Sequence, residues 1–359
     1  MVSNEESLKP RAERPAGSAA SDPRAFRPAA SHVFTHLFVR HWFLILLCAC
    51  LALTFSFPAL FTWTAYLEPR LTVAITLFLT AWTMPARSLA GELRSPWPAL
   101  WAVVISYGAV PGFAWGLGRL APVDDLRIGL ILVASVPCTL ASAVLWTRMA
   151  DGNEATALAT VLGTTLISWV ATPAWLLWTT GTLAPIAVGE MMLDLALCLL
   201  VPVALGQLVR GWQPAAEVAD RHKSLLGAIA QVFVLAIVLR AGVAVGTRYH
   251  DGGTALGPAL FAWSAALAVG LHLLSLYFGL FTSRLLGIER GRRIAIAISC
   301  SQKTLPISLA LFDRYFAHAE PTPFPLAVVP LVFYHAGQLL LDTAIAQRWK
   351  ARAGSESLS

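Results

Sequence analysis

Ten apolar runs of about twenty residues, separated by short charged or proline-bearing connections, constrain this chain more than any other feature in it. A bilayer core about 30 Å thick takes around 20 apolar residues per helix. Backbone crossing hydrocarbon must satisfy its own N–H and C=O groups, so continuous apolar runs of this length select helices. The runs fall at approximately 42–61, 70–87, 97–118, 126–149, 154–179, 186–210, 224–246, 257–283, 291–315 and 325–348. The second is the weakest, being short and ending at Pro85. Composition points the same way, with 57% hydrophobic and 13% charged residues, against about a quarter charged in an ordinary soluble domain. The chain therefore reads as an all-α polytopic membrane protein.

The remaining bulk properties mainly exclude. All five cysteines (Cys48, Cys50, Cys138, Cys198, Cys300) lie in apolar segments, and none belongs to a Cys/His pattern of the kind that binds zinc. A net charge of +6 raises nucleic acid as a partner, but the basic residues sit at the ends of apolar runs, where they set topology. Residues 1–30, rich in Pro, Ala, Ser and Arg, have too few apolar side chains to bury, and no cleavable signal sequence stands among them. The expected organisation is a disordered cytoplasmic tail over 1–37, a transmembrane domain over 38–350 and a second cytoplasmic tail over 351–359.

Orientation follows from the basic residues. With the N-terminus in the cytoplasm, 19 of the 26 Lys and Arg fall on the inner side and five on the outer, the others (Arg240 and Lys303) being inside helices. That asymmetry places both termini inside; the expected location is the plasma (inner) membrane. Ten helices divide into two sets of five, and an odd number inverts the second set relative to the first. Inverted-repeat transporters place their sites near the midplane, where discontinuous helices meet. The expected fold is thus ten transmembrane helices in two inverted five-helix repeats.

The fourth helix of each set carries a matching irregularity. The fourth run contains SVPCTLASAVLWT (Ser135–Thr147) and the ninth contains SCSQKTLP (Ser299–Pro306). Proline removes a backbone donor and crowds the preceding turn, so Pro137 and Pro306 mark helix breaks; Pro58, Pro111, Pro173, Pro202 and Pro330 show that one proline proves little. The polar company matters more. Hydroxyls such as Ser142, Thr147, Ser299, Ser301 and Thr304 often bond back to their own helix. Gln302 beside Lys303 is different, because an ammonium near the bilayer centre costs about 2.5 to 3.5 kcal/mol or more and belongs against protein or a wet cavity. Its bland alternative is a buried structural ion pair.

Two further stretches stand out. RMADGNEA (Arg148–Ala155) reads as a turn in which Gly152 takes positive φ and Asn153 caps the next helix; Glu154 complements that helix N-terminus, and Thr156, Thr160 and Thr164 follow on one face. In the tenth run His335, Gln338 and Asp342 share one helical face. Asp194 and Arg240 both fall toward the outer side and are expected to pair. The motifs HExxH, GxSxG and GxxxxGK[ST] are missing, as is any pore ring or repeated filter, which argues against enzyme and channel.

With these residues in hand, the chain resembles the bile acid:sodium symporter family, and within it the branch containing vertebrate solute carrier family 10 member 7. The resemblance covers nearly all of residues 38–350 and is carried by SAVLWTRMADGNEA (Ser142–Ala155), RHKSLLGAIAQVFVL (Arg221–Leu235), SQKTLPISLALF (Ser301–Phe312) and FYHAGQLLL (Phe333–Leu341) in that order. It implies a panel domain of helices 1, 2, 6 and 7, a core domain of helices 3–5 and 8–10, and breaks where helices 4 and 9 cross. It also implies a sodium site with ligands at Ser299, Ser301 and Gln302. The acidic ligand of sodium-coupled relatives falls on Ile298, their following Asn on Lys303, and their helix-four Ser and Asn ligands on Ala143 and Val144. The implied sodium site is therefore degraded, and Lys303 is a stand-in for an ion.

The expected function is a secondary active transporter of a small organic anion in the lipid bilayer, with sodium or a proton as coupling ion and no other cofactor. Its substrate or ion site would draw on Ser142, Thr147, Asn153, Glu154, Ser299, Ser301, Gln302, Lys303, Thr304, His335 and Gln338. The rival is a membrane regulator of calcium handling without transport of its own, as the resembling branch is associated with calcium. Flux through proteoliposomes holding only this protein separates the two.

Overall fold

The computed structural model describes residues 30–85, 92, 94–181, 187–250, 257–317 and 324–356. It divides into two units, Met1–Trp42 and Phe43–Ser359. In the first, the described residues are the opening turns of α1 (Ala30–Ser56). The rest of the expected tail, 1–29, lies outside the described residues, and the last helix runs to Glu356, well into the segment expected as a C-terminal tail.

All regular structure among the described residues is helical. After α1 the chain turns through 108° into a 3₁₀ segment, Pro58–Tyr66, started by a proline whose missing N–H is tolerated at a helix start. Then come α2 (Pro69–Trp82), α3 (Trp97–Gly118), α4a (Asp124–Ser135) and α4b (Ser142–Met149), α5 (Glu154–Thr180) and α6 (Val188–Gly211). A surface helix, Gln213–Arg221, leads to α7 (Lys223–His250), α8 (Pro258–Leu285), α9a (Arg290–Ser301), α9b (Leu305–Tyr315) and α10 (Val328–Glu356). Among the described residues seven helices are long and apolar enough to cross a membrane, or eight if α1 and its bent continuation count as one span. The shortfall against ten apolar runs has local causes: α2 has 14 residues, and the fourth run is split into pieces of 12 and eight.

Prolines shape the long helices. Two π-turns, Ile105–Ala109 in α3 and Ala196–Leu200 in α6, each precede a proline by two residues (Pro111 and Pro202). Proline offers no N–H to the preceding turn, and widening that turn relieves the clash with the ring. In α3, Val110 N–H bonds Ile105 O, so Ser106 O is left with no helical donor, its other neighbour in line being Pro111. Tyr107 O, four residues before Pro111, takes the indole N–H of Trp175 at 2.5 Å.

Much of the helix packing falls into two groups, which meet where α5 lies on α6 and where α9b lies on α7 and α2. α2 lies against both α6 and α7, and the 3₁₀ segment lies against α7. In the other group α9a is packed by α5, α8, α3 and α4b, while α10 lies on α8 and α4a. α9a and α9b are buried almost completely, the expected state of a helix surrounded by others on every side. Between the groups, three successive residues at the end of α9b make polar contacts. Asp313 takes Arg240 Nε of α7 at 2.9 Å, and Arg314 Nε meets Asp194 of α6 at 2.6 Å. Tyr315 OH donates to the same Asp194 at 2.7 Å, and Arg70 of α2 completes the cluster at 3.1 Å.

The expected Asp194–Arg240 pair is therefore not formed. Arg240 also donates to the carbonyls of Thr64, Ala65 and Leu67, satisfying the end of the 3₁₀ segment, which leaves Asp194 to Arg70 and Arg314.

Close helix contacts depend on glycines. A Cβ on Gly129 of α4a would lie 2.2 Å from Ala327 O and 2.9 Å from a Pro330 ring carbon, so α4a and the start of α10 meet only because that side chain is absent. Gly129→Ala should lower stability in detergent by about 1–3 kcal/mol, the usual cost of overpacking. Gly112→Ala, with open space at its Cβ, should leave the melting temperature in place.

Candidate functional site

Both broken helices part at the expected places, and the breaks face each other. α4a ends at Ser135, Val136 is extended (φ −82°, ψ 161°), and α4b starts at Ser142. α9a ends at Ser301, Gln302 and Thr304 are extended, and α9b starts at Leu305. Pro137 lies inside its break. Pro306 occupies the first turn of α9b, where proline is favoured, so it begins a half-helix and the gap itself is Gln302–Thr304. The two irregular segments join directly: Thr304 N–H donates to Pro137 O at 3.2 Å.

Lys303 is wholly buried. Its Nζ lies 2.9 Å from Ser106 O, 2.9 Å from Ser106 Oγ and 3.1 Å from Val136 O, and 5.3 Å from the centroid of the Tyr107 ring. An ammonium has three N–H donors, and here three oxygens receive them. The sources of these oxygens are clear from the backbone. Ser106 O is the carbonyl released by Pro111, and Val136 O sits past the C-terminus of α4a, at the negative end of that helix dipole. Among the described residues no carboxylate pairs with Lys303, so the bland alternative of a buried ion pair is not what forms.

The other polar groups of the break are tied into one network. Gln338 of α10 accepts from Lys303 N–H at 3.0 Å and donates to Lys303 O at 3.0 Å, replacing the helical bonds lost at the gap. Gln302 Oε1 accepts from Thr139 at 3.1 Å and Ser142 at 2.6 Å, across in the other break, and its Nε2 donates to Asp342 Oδ2 at 2.6 Å. Asp342 Oδ1 meets His272 Nε2 of α8 at 2.9 Å, and Ser301 O accepts from Tyr334 OH at 2.5 Å and lies 3.3 Å from His272 Nδ1. Gln338, Gln302, Asp342 and His272 are all buried.

The remaining expected residues divide. His335 lies one turn from Gln338 and bonds it through Nδ1 at 3.0 Å. Thr304 borders the same region. Ser299 and Thr147 are buried with hydroxyls that find no partner among the described residues. Asn153 and Glu154 stand apart: Asn153 Oδ1 caps α5 by accepting Thr156 N–H at 3.0 Å, and Glu154 pairs with Arg148. At the turn before them the positive φ belongs to Asp151 (59°) and not to Gly152. Gly152 is there for space, since a Cβ would meet Ile294 at 2.7 Å and Thr147 at 2.8 Å. Ile298, where the resemblance puts an acid, packs with Ala150, Ile294 and Ala346.

Several participants were not singled out from sequence. Ser106, His272 and Tyr334 are single polar residues in apolar runs, and only their distant partners give them meaning. Glu92, in the connection before α3, is buried against Thr156 Oγ1 at 2.9 Å and Arg292 at 3.3 Å.

An open cleft of about 200 Å³ lies beside the paired breaks. It is lined by Thr139 to Ser142 at the start of α4b, by Thr304 and Pro306 at the start of α9b, by Thr76, Thr80 and Thr83 of α2, by Gln231 of α7 and by His335 of α10. Lys303 does not line it.

A model of the SBF-like CPA transporter family matches residues 41–351. The uncharacterized sodium-dependent transporter YocS of Bacillus subtilis (strain 168) is 27% identical over 314 residues, 85% of this chain and 91% of that protein. Sodium/bile acid cotransporter 7 of Mus musculus is 23% identical over 327 residues, 87% of this chain and 93% of its own. The Xenopus tropicalis protein of the same name is 27% identical over 239 residues, 65% of this chain and 66% of its own. The kinship read from the four sequence motifs is thus found over almost the whole chain, and the relatives are transporters rather than enzymes.

Gln338 tests how the gap in α9 is held. Gln338→Leu orphans the Lys303 N–H and C=O in a water-poor interior and should cost about 2–6 kcal/mol, at about 1–3 kcal/mol for each of the two lost partners. Leu340→Ala, on an exposed stretch of α10, serves as the neutral comparison in the same denaturation measurement.

Proposed function

The chain belongs to the SBF-like CPA transporter family, and on that premise we propose that it is a secondary active transporter moving an organic anion by alternating access, with the Lys303 ammonium standing in for a coupling sodium ion. The observation that carries this reading is the oxygen set around Lys303 Nζ: two main-chain carbonyls and a hydroxyl, with no carboxylate, the kind of hard-oxygen surroundings an alkali cation takes. The apolar packing of Ile298, and Ala143 and Val144 in place of polar ligands, agree with a sodium site that has lost ligands on helices 4 and 9. Asp342 brings a carboxylate to Gln302 from α10 instead.

Alternating access would be a movement of a core (helices 3–5 and 8–10) against a panel (helices 1, 2, 6 and 7), within ten spans arranged as two inverted repeats with both termini in the cytoplasm. The division of helix packing and the paired breaks in the fourth and ninth runs support that arrangement. The anion would bind in the cleft, toward the positive N-terminal ends of α4b and α9b. Lys303 contributes to the fold of this region and not to the lining of the cleft, so the preference for an anion rests on the half-helix ends and neutral donors.

Uptake of organic anions by proteoliposomes containing only this protein should be equal in sodium and in choline. Lys303→Asn should reduce uptake in choline and recover part of it in sodium, because the vacated oxygens then accept the ion. A wild type that requires sodium, with Lys303→Ala abolishing all sodium-dependent uptake, would overturn the replacement.

A further inference from the structure

We propose that His335 orients the transported solute by presenting one neutral N–H, at Nε2, to its anionic end; the inference rests on the anion-transport reading above and assigns the recognition to one atom. Most hydroxyls around the cleft have already used their protons. Thr76, Thr80 and Thr83 donate to carbonyls of Thr72, Thr76 and Thr80 at 2.7–2.9 Å, and Thr139 and Ser142 donate to Gln302 Oε1. A hydroxyl whose proton is spent offers only lone pairs. That wall accepts hydrogen bonds from a solute and repels an anion.

Donors remain at one place. The Thr304 hydroxyl and the Gln231 amide line the cleft without partners among the described residues, and His335 stands with them. The His335 tautomer follows from its neighbour. Gln338 Oε1 accepts Lys303 N–H, and its Nε2 donates to Lys303 O, so the amide cannot be turned round. The second Gln338 N–H then points at His335 Nδ1, which has to accept it. The ring proton is therefore on Nε2, which has no hydrogen-bond partner among the described residues although His335 is only 7% exposed, lines the cleft and meets the Phe43 ring edge-to-face at 6.1 Å.

No Lys, Arg, Asp or Glu lines the cleft among the described residues, so this N–H, the Thr304 and Gln231 donors and the nearby ends of α4b and α9b are what an anion meets. The solute class that fits carries one anionic acceptor group at the His335 and Thr304 end, and hydroxyl or amide donors toward the threonine wall. An uncharged analogue keeps the second set of contacts and loses the first.

The test is binding to full-length protein in nanodiscs, using gluconate, shikimate and cholate, each beside its neutral primary amide. At least one anion should bind more tightly than its amide. His335→Phe keeps ring size and removes the donor; it should weaken the anion about tenfold and leave the amide within about twofold, as expected for a lost hydrogen bond to a charged group. His335→Gln reaches to the Nε2 position with an N–H and should restore anion binding, whereas His335→Asn falls short and should not; this contrast stands even if the Phe variant does not fold. Equal weakening of anion and amide, or no weakening of either, overturns the role of His335 and leaves the transport reading in place. If the wild type binds none of the anions, the anion reading falls and this inference with it.

Discussion

The structure of this region depends on one buried ammonium and the backbone oxygens that hold it. Lys303 could not be placed at the centre of the helical packing without three acceptors, and the chain provides them by breaking helices at prolines. Pro111 has no N–H to return to α3 and leaves Ser106 O open, and the break at Pro137 leaves Val136 O beyond the end of α4a. These same irregularities would be costly by themselves in a medium without water. The lysine satisfies two loose carbonyls in separate helices, and the two breaks satisfy each other through Thr304 N–H and Pro137 O.

Around that centre the network is built from side-chain amides, an imidazole and a carboxylate. Gln338 closes the gap in α9 by serving both Lys303 backbone groups, while Gln302 spans from the hydroxyls of the α4 break to Asp342. Nearly every group in this network has its partner, which is what makes a buried polar network rigid. Among the described residues the exceptions are the hydroxyls of Ser299 and Thr147 and, at the edge of the cleft, the Thr304 hydroxyl and His335 Nε2. The cleft next to the network is polar through hydroxyls and amides, so its preferences depend on which protons remain free.

Much of this was legible in the sequence, and the rest failed for identifiable reasons. Apolar run length located the long helices, of which seven or eight among the described residues are long and apolar enough to span, and polar residues clustered beside prolines marked both breaks, because each is a local property of the chain. The consequence of Pro111 was not local: it is one of several prolines in apolar runs, and its importance comes from a lysine almost 200 residues away. His272 and Ser106 were missed for the same reason. Asp194 and Arg240 share a depth in the bundle, but depth does not fix the rotation of a helix, and each found other partners. Gly152 was read as a turn residue, yet its role is close packing against Ile294 and Thr147.

The end of α9b has a mechanical consequence of its own. Asp313, Arg314 and Tyr315 are consecutive, and through Arg240, Asp194 and Arg70 they fasten one helix end to three others. Side chains so close in sequence move with the same helix end, so a shift of α9b loads all of these contacts together. Arg70 and Arg314 are partly open to solvent, which means that dissolved ions compete for the same charges. The height of any barrier to separating α9b from α2 and α6 is therefore set in part by the ionic strength of the solution bathing that end of the protein.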